Sequence, residues 1–149
     1  MAELTLHVRS DAPKWRVFEG YNTRTGIASR SGDDLVWSVS PGEWTVLGAR
    51  PEGETVDLTH VRAMFRLTGD EAATLISRVC GLDLSDGMFP TGAAARTLFA
   101  GVATELVRDD VDGTPSYLIV PSRSFGTYVR RVIDDAGAEL GLGPGEEEG

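Results

Sequence analysis

The sequence predicts an α+β protein with an antiparallel or mixed sheet and few helices. Several segments alternate polar and apolar residues with the period of two that a half-buried strand requires. Short turns between such segments predict hairpins. Two other segments carry apolar residues at helical spacing, so that the order from residue 59 onward is β-α-β-β-β-α. Helices mixed with short, hairpin-linked strands are typical of the α+β class.

The first third of the chain is predicted to contain strands and loops only. Alternation at 4–8 predicts a strand, whereas 11–33 is rich in Gly, Asn, Thr, Ser and Arg and is predicted to be mostly loop. A short strand at 15–18 fits inside that loop. Residues 35–39 and 43–47 are predicted to form a hairpin around Ser40–Pro41–Gly42.

The next segment predicts a strand with one apolar and one cationic face, followed by a helix. Residues 59–67 alternate, and His60, Arg62 and Arg66 occupy the polar positions. A helix is predicted over 70–80, because the Thr-x-x-Glu spacing of 68–71 matches a capping box and Gly81 suits a helix end.

The last third is predicted to be a three-stranded unit and a helix. Strands at 94–100 and 102–108 form a hairpin, 109–113 form a turn, and 116–120 form a third strand. A second helix follows, capped by Ser122 or Ser124 and ended by Gly137, with its apolar residues at helical spacing.

Composition and length predict one domain at 1–140 and a disordered acidic tail at 141–149. The chain has 149 residues, 14 Lys and Arg against 23 Asp and Glu, and a net charge of −9, which argues against a broad nucleic-acid surface. No apolar run approaches a membrane span, and no signal-peptide core is present. A lone cysteine, Cys80, favours a reducing, cytoplasmic setting.

The sequence offers no catalytic residue and no metal site. His7, His60 and Cys80 lack the spacing of zinc ligands, and neither phosphate-binding glycine motif is present. Cys80 is placed near a helix C-terminus, which disfavours a thiolate, so a buried inert thiol is favoured over a nucleophile. No Gly-x-Ser-x-Gly elbow exists.

Several polar residues remain open to two interpretations. The face formed by His60, Arg62 and Arg66 fits an anionic ligand or acidic partner, or simply a solvated face. Arg123 beside Ser124 fits an anion site at a helix start, although a cap alone explains the serine. The acidic run at 109–112 has the wrong spacing for a calcium loop and is predicted to be a plain turn.

An ordered set of short motifs resembles the gamma subunit family of heterotetrameric sarcosine oxidase. The resemblance covers roughly residues 34–137. The motifs are SPGEW at 40–44, VLG at 46–48, DLTH at 57–60, FRLTG at 65–69, CGLDL at 80–84, FP at 89–90, ART at 95–97, AGV at 100–102 and RSF at 123–125, followed by Tyr128.

The resemblance implies a fold like the folate-binding domain of aminomethyltransferases, built from two related, ferredoxin-like α+β halves. It also implies a non-catalytic accessory subunit that packs against larger alpha- and beta-type flavoprotein subunits. Those subunits would hold FAD or FMN, NAD and tetrahydrofolate, and this chain alone would bind no cofactor. The implied complex oxidatively demethylates an N-methylated amine or amino acid.

Two functional hypotheses follow. An accessory subunit needs an exposed apolar surface for its partner, and His60, Arg123 and Phe125 are the candidate interface residues. A stand-alone folate-binding or one-carbon-transfer protein instead needs a concave pocket with an acidic residue and a cationic rim. Arg62, Arg66 and Arg96 are the candidates for that rim.

Overall fold

The computed structural model describes residues 4–143, which form two antiparallel five-stranded sheets and two α-helices. The first sheet contains β1 (Thr5–Val8), β7 (Phe65–Thr68), β8 (Ala94–Phe99), β9 (Val102–Arg108) and β10 (Ser116–Pro121), in the order β1-β7-β10-β9-β8. The second contains β2 (Lys14–Val17), β3 (Ile27–Ser31), β4 (Asp34–Ser40), β5 (Glu43–Leu47) and β6 (Val56–Asp57), in the order β3-β4-β5-β2-β6. The helices are α1 (Ala72–Ser77) and α2 (Gly126–Gly137).

Both helices pack on one face of the first sheet. Alternate strand residues such as Leu67, Leu106 and Ile119 point to this face, as the period of a strand requires. They form one buried cluster with helix residues that include Leu75 and Ile133. The α+β class with antiparallel sheets and few helices is therefore confirmed.

The opposite face of the first sheet packs against the second sheet. Leu118 and Val107 lie side by side on β10 and β9, and both join a buried cluster with Leu35 and Trp37 from β4. Trp37 is fully buried, so the indole forms the centre of this inter-sheet core.

Both predicted hairpins are confirmed, and so are the first strand, the strand after residue 115 and the second helix. β4 and β5 flank the Pro41–Gly42 turn, and β8 pairs with β9 in register from Ala94↔Val107 to Phe99↔Val102. The short strand predicted at 15–18 is β2. The second helix ends at Gly137 as predicted, but the predicted cap from Ser122 or Ser124 is wrong. The helix begins after a 3₁₀ turn, Arg123–Phe125, and Phe125 stands at its N-cap with no side-chain cap hydrogen bond.

Two predictions about strands are wrong. The strand predicted at 59–67 begins only at Phe65, because the N–H groups of Val61 and Arg62 both donate to the Leu58 carbonyl and form a turn. The loop predicted at 11–33 contains β3. That strand is exposed on both faces apart from Ala28, and so it lacks the alternation that marks a strand.

The first helix is shorter than predicted and has no capping box. It ends at Ser77, and Glu71 makes no side-chain cap. The chain then leaves the helix to join β8: Cys80 pairs with Phe99, and the Ala100 N–H donates to the Val79 carbonyl. Pairing with a strand edge has replaced the last helical turn that Gly81 was predicted to end.

The predicted acidic tail at 141–149 is covered by the structure only in part. Residues 144–149 lie outside the described residues. Leu142 packs against the helix-side core, and its N–H donates to the Gly137 carbonyl at 3.1 Å. Among residues 4–143, no helix is long and apolar enough to span a bilayer.

Candidate functional site at one end of the first sheet

The topology brings three chain segments together at one end of the first sheet. β10 ends at Pro121 opposite Thr104, near the start of β9. The next residue, Ser122, forms an isolated bridge with Arg62, and the Arg123 N–H donates to the Val61 carbonyl at 2.9 Å. We call this region the cationic end: it comprises residues 60–63, 96–104 and 122–128.

A cavity of about 330 Å³ opens at the cationic end. Its walls include Arg62, from the turn before β7, and Arg96, from β8. Glu105 of β9 lies directly opposite Arg96 in the ladder and completes the polar lining, together with Thr104. The structure therefore brings two of the three predicted rim arginines to one pocket and adds an acidic residue to it.

Glu105 is the least expected member of this site. Its carboxylate is almost completely buried, and it accepts a hydrogen bond of 2.8 Å from the indole Nε1 of Trp37. Guanidinium groups approach the other oxygen more loosely, at 3.6 Å from Arg16 and 3.9 Å from Arg62. Burying a carboxylate is costly unless it is paired and hydrogen-bonded, so these groups together stabilise it.

The two arginines beside Glu105 are not fully satisfied. Arg16 also contacts Glu43 at 3.4 Å and Thr45 at 3.5 Å, yet its Nε is buried and has no hydrogen-bond partner. The Nε of Arg62 is likewise buried and unpartnered. Buried donors without partners are rare in folded proteins. Both Nε atoms are out of reach of solvent, so they show that the polar network around Glu105 is incompletely satisfied.

Exposed apolar side chains lie on each of the three segments of the cationic end. Leu98 lies on the same face of β8 as Arg96 and is 61% exposed. Val61 and Phe125 are exposed on the two segments that join beside it, and Tyr128 is exposed on the first turns of α2. The hydroxyl of Tyr128 donates to the Ala100 carbonyl at 2.9 Å, which connects the helix to the β8–β9 turn.

Arg123 has a structural role that its sequence position did not reveal. Its NH2 group donates to the carbonyls of Ser10 and Thr59 at 3.1 and 3.0 Å and contacts the Asp11 carboxylate at 3.3 Å. The same two carbonyls accept from the ammonium of Lys14. Arg123 is also half-exposed, so that one side chain both fixes the segment before β7 and contributes charge to the surface.

The predicted cationic strand face of His60, Arg62 and Arg66 does not form. His60 and Arg62 lie in the turn before β7, where His60 is exposed, while Arg66 lies within the strand. The Arg66 guanidinium donates to the carboxylate of Asp109 at 2.8 Å and to the hydroxyl of Ser116 at 2.9 Å. Arg66 is thus held away from the cationic end.

The acidic run at 109–112 forms a turn, as predicted, but its carboxylates hold arginines. Asp109 forms ion pairs with Arg66 and Arg30. Asp110 accepts two hydrogen bonds from Arg108, at 3.0 and 3.2 Å. The Asp110 carboxylate raises the pKa of Arg108 well above its usual range. Within the described part of the chain, no group of three or more His, Cys, Asp or Glu residues is placed to hold a metal ion.

Two solved structures share this fold. A chain of heterotetrameric sarcosine oxidase from Corynebacterium sp. U-96, in complex with pyrrole 2-carboxylate, superposes with a TM-score of 0.78 at 18% identity; the match covers 95% of this chain and 87% of that one. Aminomethyltransferase T of the glycine cleavage system from Bartonella henselae gives a TM-score of 0.70 at 10% identity, covering 95% of this chain and 47% of that one.

These comparisons establish the fold. The chain has a sarcosine-oxidase-subunit-like architecture, and it spans about half the length of the aminomethyltransferase. No family model matches the sequence, and neither does any curated protein. The resemblance read from the sequence motifs is confirmed at the level of fold.

Proposed function

We propose that this chain is a non-catalytic accessory subunit of a heteromeric, flavin-dependent and tetrahydrofolate-linked oxidase of N-methylated amines or amino acids. One observation carries the proposal: the fold matches a chain of a heterotetrameric sarcosine oxidase over nearly the whole length of both chains. The match to the aminomethyltransferase covers only half of that protein, which fits a chain that supplies one folded unit to a larger assembly.

The cationic end is the proposed contact surface. It combines exposed apolar side chains, Val61, Leu98 and Phe125, with the guanidinium groups of Arg62 and Arg96. Apolar anchors beside arginines are typical of protein interfaces. The three interface candidates from the sequence, His60, Arg123 and Phe125, all belong to this end of the sheet.

The cofactors belong to the partners in this proposal. Flavin and tetrahydrofolate would be held by the larger subunits, as the family resemblance implies. The free thiol of Cys80, the lone cysteine of the chain, supports a reducing cytoplasmic setting. The working unit is the domain at 1–140, and residues 141–149 are its acidic tail.

Purification of the tagged chain from its source organism tests the proposal. We expect a larger protein to copurify in a fixed ratio, to show the absorbance spectrum of a bound flavin, and to give the complex N-methyl amino-acid oxidase activity. Recovery of the chain alone, or with partners that carry no flavin, would contradict the proposal.

The cavity at the cationic end favours a second candidate, a folate-binding protein that acts alone. A buried carboxylate, Glu105, and the guanidinium groups of Arg62 and Arg96 line one pocket, as a pterin with an acidic tail would need. Calorimetric titration of the isolated chain with tetrahydrofolate tests this candidate. Saturable binding below millimolar ligand that is lost in Arg96→Gln would support it, and the absence of saturation would exclude it.

A further inference from the structure

A second cavity, of about 260 Å³, shares no lining residue with the one at the cationic end. It lies between the two sheets. The first sheet contributes Arg66 and Leu118, and the second contributes Arg30 and Leu47. The segment that connects β1 to β2 closes the cavity with Arg9, Ala12 and Pro13.

Arg30 and Arg66, two of the three arginines in this cavity, are held in place by the carboxylate of Asp109. Oδ2 of Asp109 accepts from both Arg66 and Arg30. Arg66 is held further by the Asp109 carbonyl at 3.0 Å and the Ser116 hydroxyl at 2.9 Å. Guanidinium groups that are already oriented lose little conformational entropy when they bind an oxyanion.

The lining of the cavity is rich in arginine. It holds Arg9, Arg30 and Arg66 against one acidic residue, Asp33. Two further carboxylates lie close by: Asp109 pairs with Arg30 and Arg66, and Asp34 lies against Gly48 of the lining. An entering oxyanion would therefore share the guanidinium donors with these carboxylates.

The remaining wall is apolar. Leu47 and Pro13 are its accessible apolar residues, and Leu47 packs against the inter-sheet core, in which Met64 and Leu118 are fully buried. A concave site with an apolar wall and a few convergent polar groups is the usual form of a small-molecule pocket. Its size suits a small ligand rather than a long one.

We infer that this cavity binds a small molecule that carries one oxyanion group, a carboxylate or a phosphate, on an apolar body. The arginines would bind the oxyanion by paired N–H donors, and Leu47 and Pro13 would cover the body. This inference is independent of the proposed function, because it requires neither a partner subunit nor the cationic end.

Titration of the ¹⁵N-labelled full chain by NMR tests the inference with three probes: benzoate, acetate and inorganic phosphate. Benzoate joins a carboxylate to an apolar ring, acetate supplies the carboxylate almost alone, and phosphate supplies a larger charge without a body. We expect benzoate to bind about tenfold more tightly than acetate. We also expect its amide shifts to centre on residues 9–13, 47–48 and 64–66.

Two exposed arginines of the lining supply the variants. Arg30→Gln and Arg9→Gln should each weaken benzoate binding by about tenfold. Arg131→Gln, an exposed arginine on α2, is the matched control and should change nothing. Benzoate binding that does not saturate by about 10 mM would overturn the inference. Equal loss in the control, shifts centred on Arg62 and Arg96, or equal affinity for all three probes would overturn it as well.

The two proposals fail separately. Arg30→Gln should still copurify with the flavoprotein partner, because Arg30 lies outside the cationic end. If Arg30→Gln loses benzoate binding and still copurifies with the partner, both proposals are supported. If the wild-type chain copurifies with no partner, the proposed function fails, and the benzoate titration still tests the cavity.

Discussion

Two buried charges in this protein are satisfied in opposite ways. Lys14 is completely buried, and its ammonium donates to the carbonyls of Ser10, Ala12 and Thr59 at 2.8, 2.9 and 3.2 Å. Glu105 is almost as deeply buried, but it accepts only one short hydrogen bond, from Trp37, and its two arginines stay at 3.6 and 3.9 Å. Such distances are too long for direct hydrogen bonds.

The difference separates the charge of Lys14, which stabilises the fold, from the charge of Glu105, which lies at a cavity that a ligand or partner can reach. Three carbonyl acceptors match the three donors of an ammonium, so the charge of Lys14 is satisfied within the fold. Glu105, in contrast, lines a cavity beside the unpartnered Nε atoms of Arg16 and Arg62. A partly satisfied network contributes less to the fold than a fully satisfied one, and Arg62 and Arg96 line the cavity beside it.

We expect the largest loss in the free energy of unfolding when the charge of Lys14 is removed. Lys14→Met keeps the volume but leaves carbonyls such as that of Ala12 without a donor. Each unsatisfied buried acceptor costs about 1–3 kcal/mol, and Arg123 still serves the other two carbonyls, so we expect a loss of about 3 kcal/mol in the free energy of unfolding. Urea denaturation measures it.

The exposed cation Arg50 provides the matched control for that variant. Arg50→Met removes a side chain that stacks over Trp15 and hydrogen-bonds Thr55 at the surface, so its effect should stay below about 0.5 kcal/mol. If Lys14→Met and Arg50→Met lost equal free energy of unfolding, the burial of Lys14 and its three carbonyl contacts would not explain how much it stabilises the fold.

A smaller effect is expected when the charge of Glu105 is removed. Glu105→Gln preserves the acceptor for Trp37 and weakens only the two loose ion pairs, so we expect a loss of about 1 kcal/mol. Glu105→Leu also removes the acceptor for the buried indole and should cost about 2 kcal/mol. Urea denaturation followed by Trp fluorescence distinguishes the two, and a larger loss in Glu105→Gln would contradict the comparison.

The smallest expected change in stability concerns Asp57, which lies in the turn that positions Thr59 for Lys14. Hydrogen bonds from the side chain and backbone of Thr59 lower the pKa of Asp57, with the backbone N–H donating at 2.9 Å. A lowered pKa means that the folded state favours the carboxylate, so this contribution is present above the ordinary value of 3.8 and is lost as the pH falls below it.

Asp57→Asn tests that statement through its pH dependence. The stability difference between wild type and variant should be small at about pH 6 and should shrink by about pH 2, as the pH falls through the lowered pKa of Asp57 and the carboxylate gains a proton. Urea midpoints at the two pH values measure the difference. A difference that grows as the pH falls would reverse the assigned sign.

Most elements with a local signature were predictable from the sequence. The β4–β5 and β8–β9 hairpins combine alternation with Gly-containing turns, and α2 carries a clear helical stripe. β3 was not predictable, because it is exposed on both faces and has no alternation to detect. The early end of α1 depends on pairing between Cys80 and Phe99, a contact that no local pattern encodes.

The site was predictable only in part for the same reason. Arg62 and Arg96 were chosen as cations, and the structure brings them to one cavity. Glu105 could have been noticed as a charge at an inward position of an apolar strand, opposite Arg96. The hydrogen bond between Glu105 and Trp37 joins residues 68 positions apart in the chain, so sequence spacing does not reveal it. Arg66 is kept away from the cationic end by its ion pair with Asp109, a contact across the sheet that spacing does not reveal either.

Copurification with the variant Arg62→Gln/Arg96→Gln tests the central claim, that the cationic end binds a flavoprotein partner, most directly. The variant keeps Glu105 paired with Trp37 and Arg16, and circular dichroism confirms its fold. We expect it to lose the partner and the flavin absorbance that the wild type retains, whereas Arg24→Gln, an exposed arginine before β3, retains both. A folded double variant that copurifies with the flavoprotein as well as the wild type does would contradict the account.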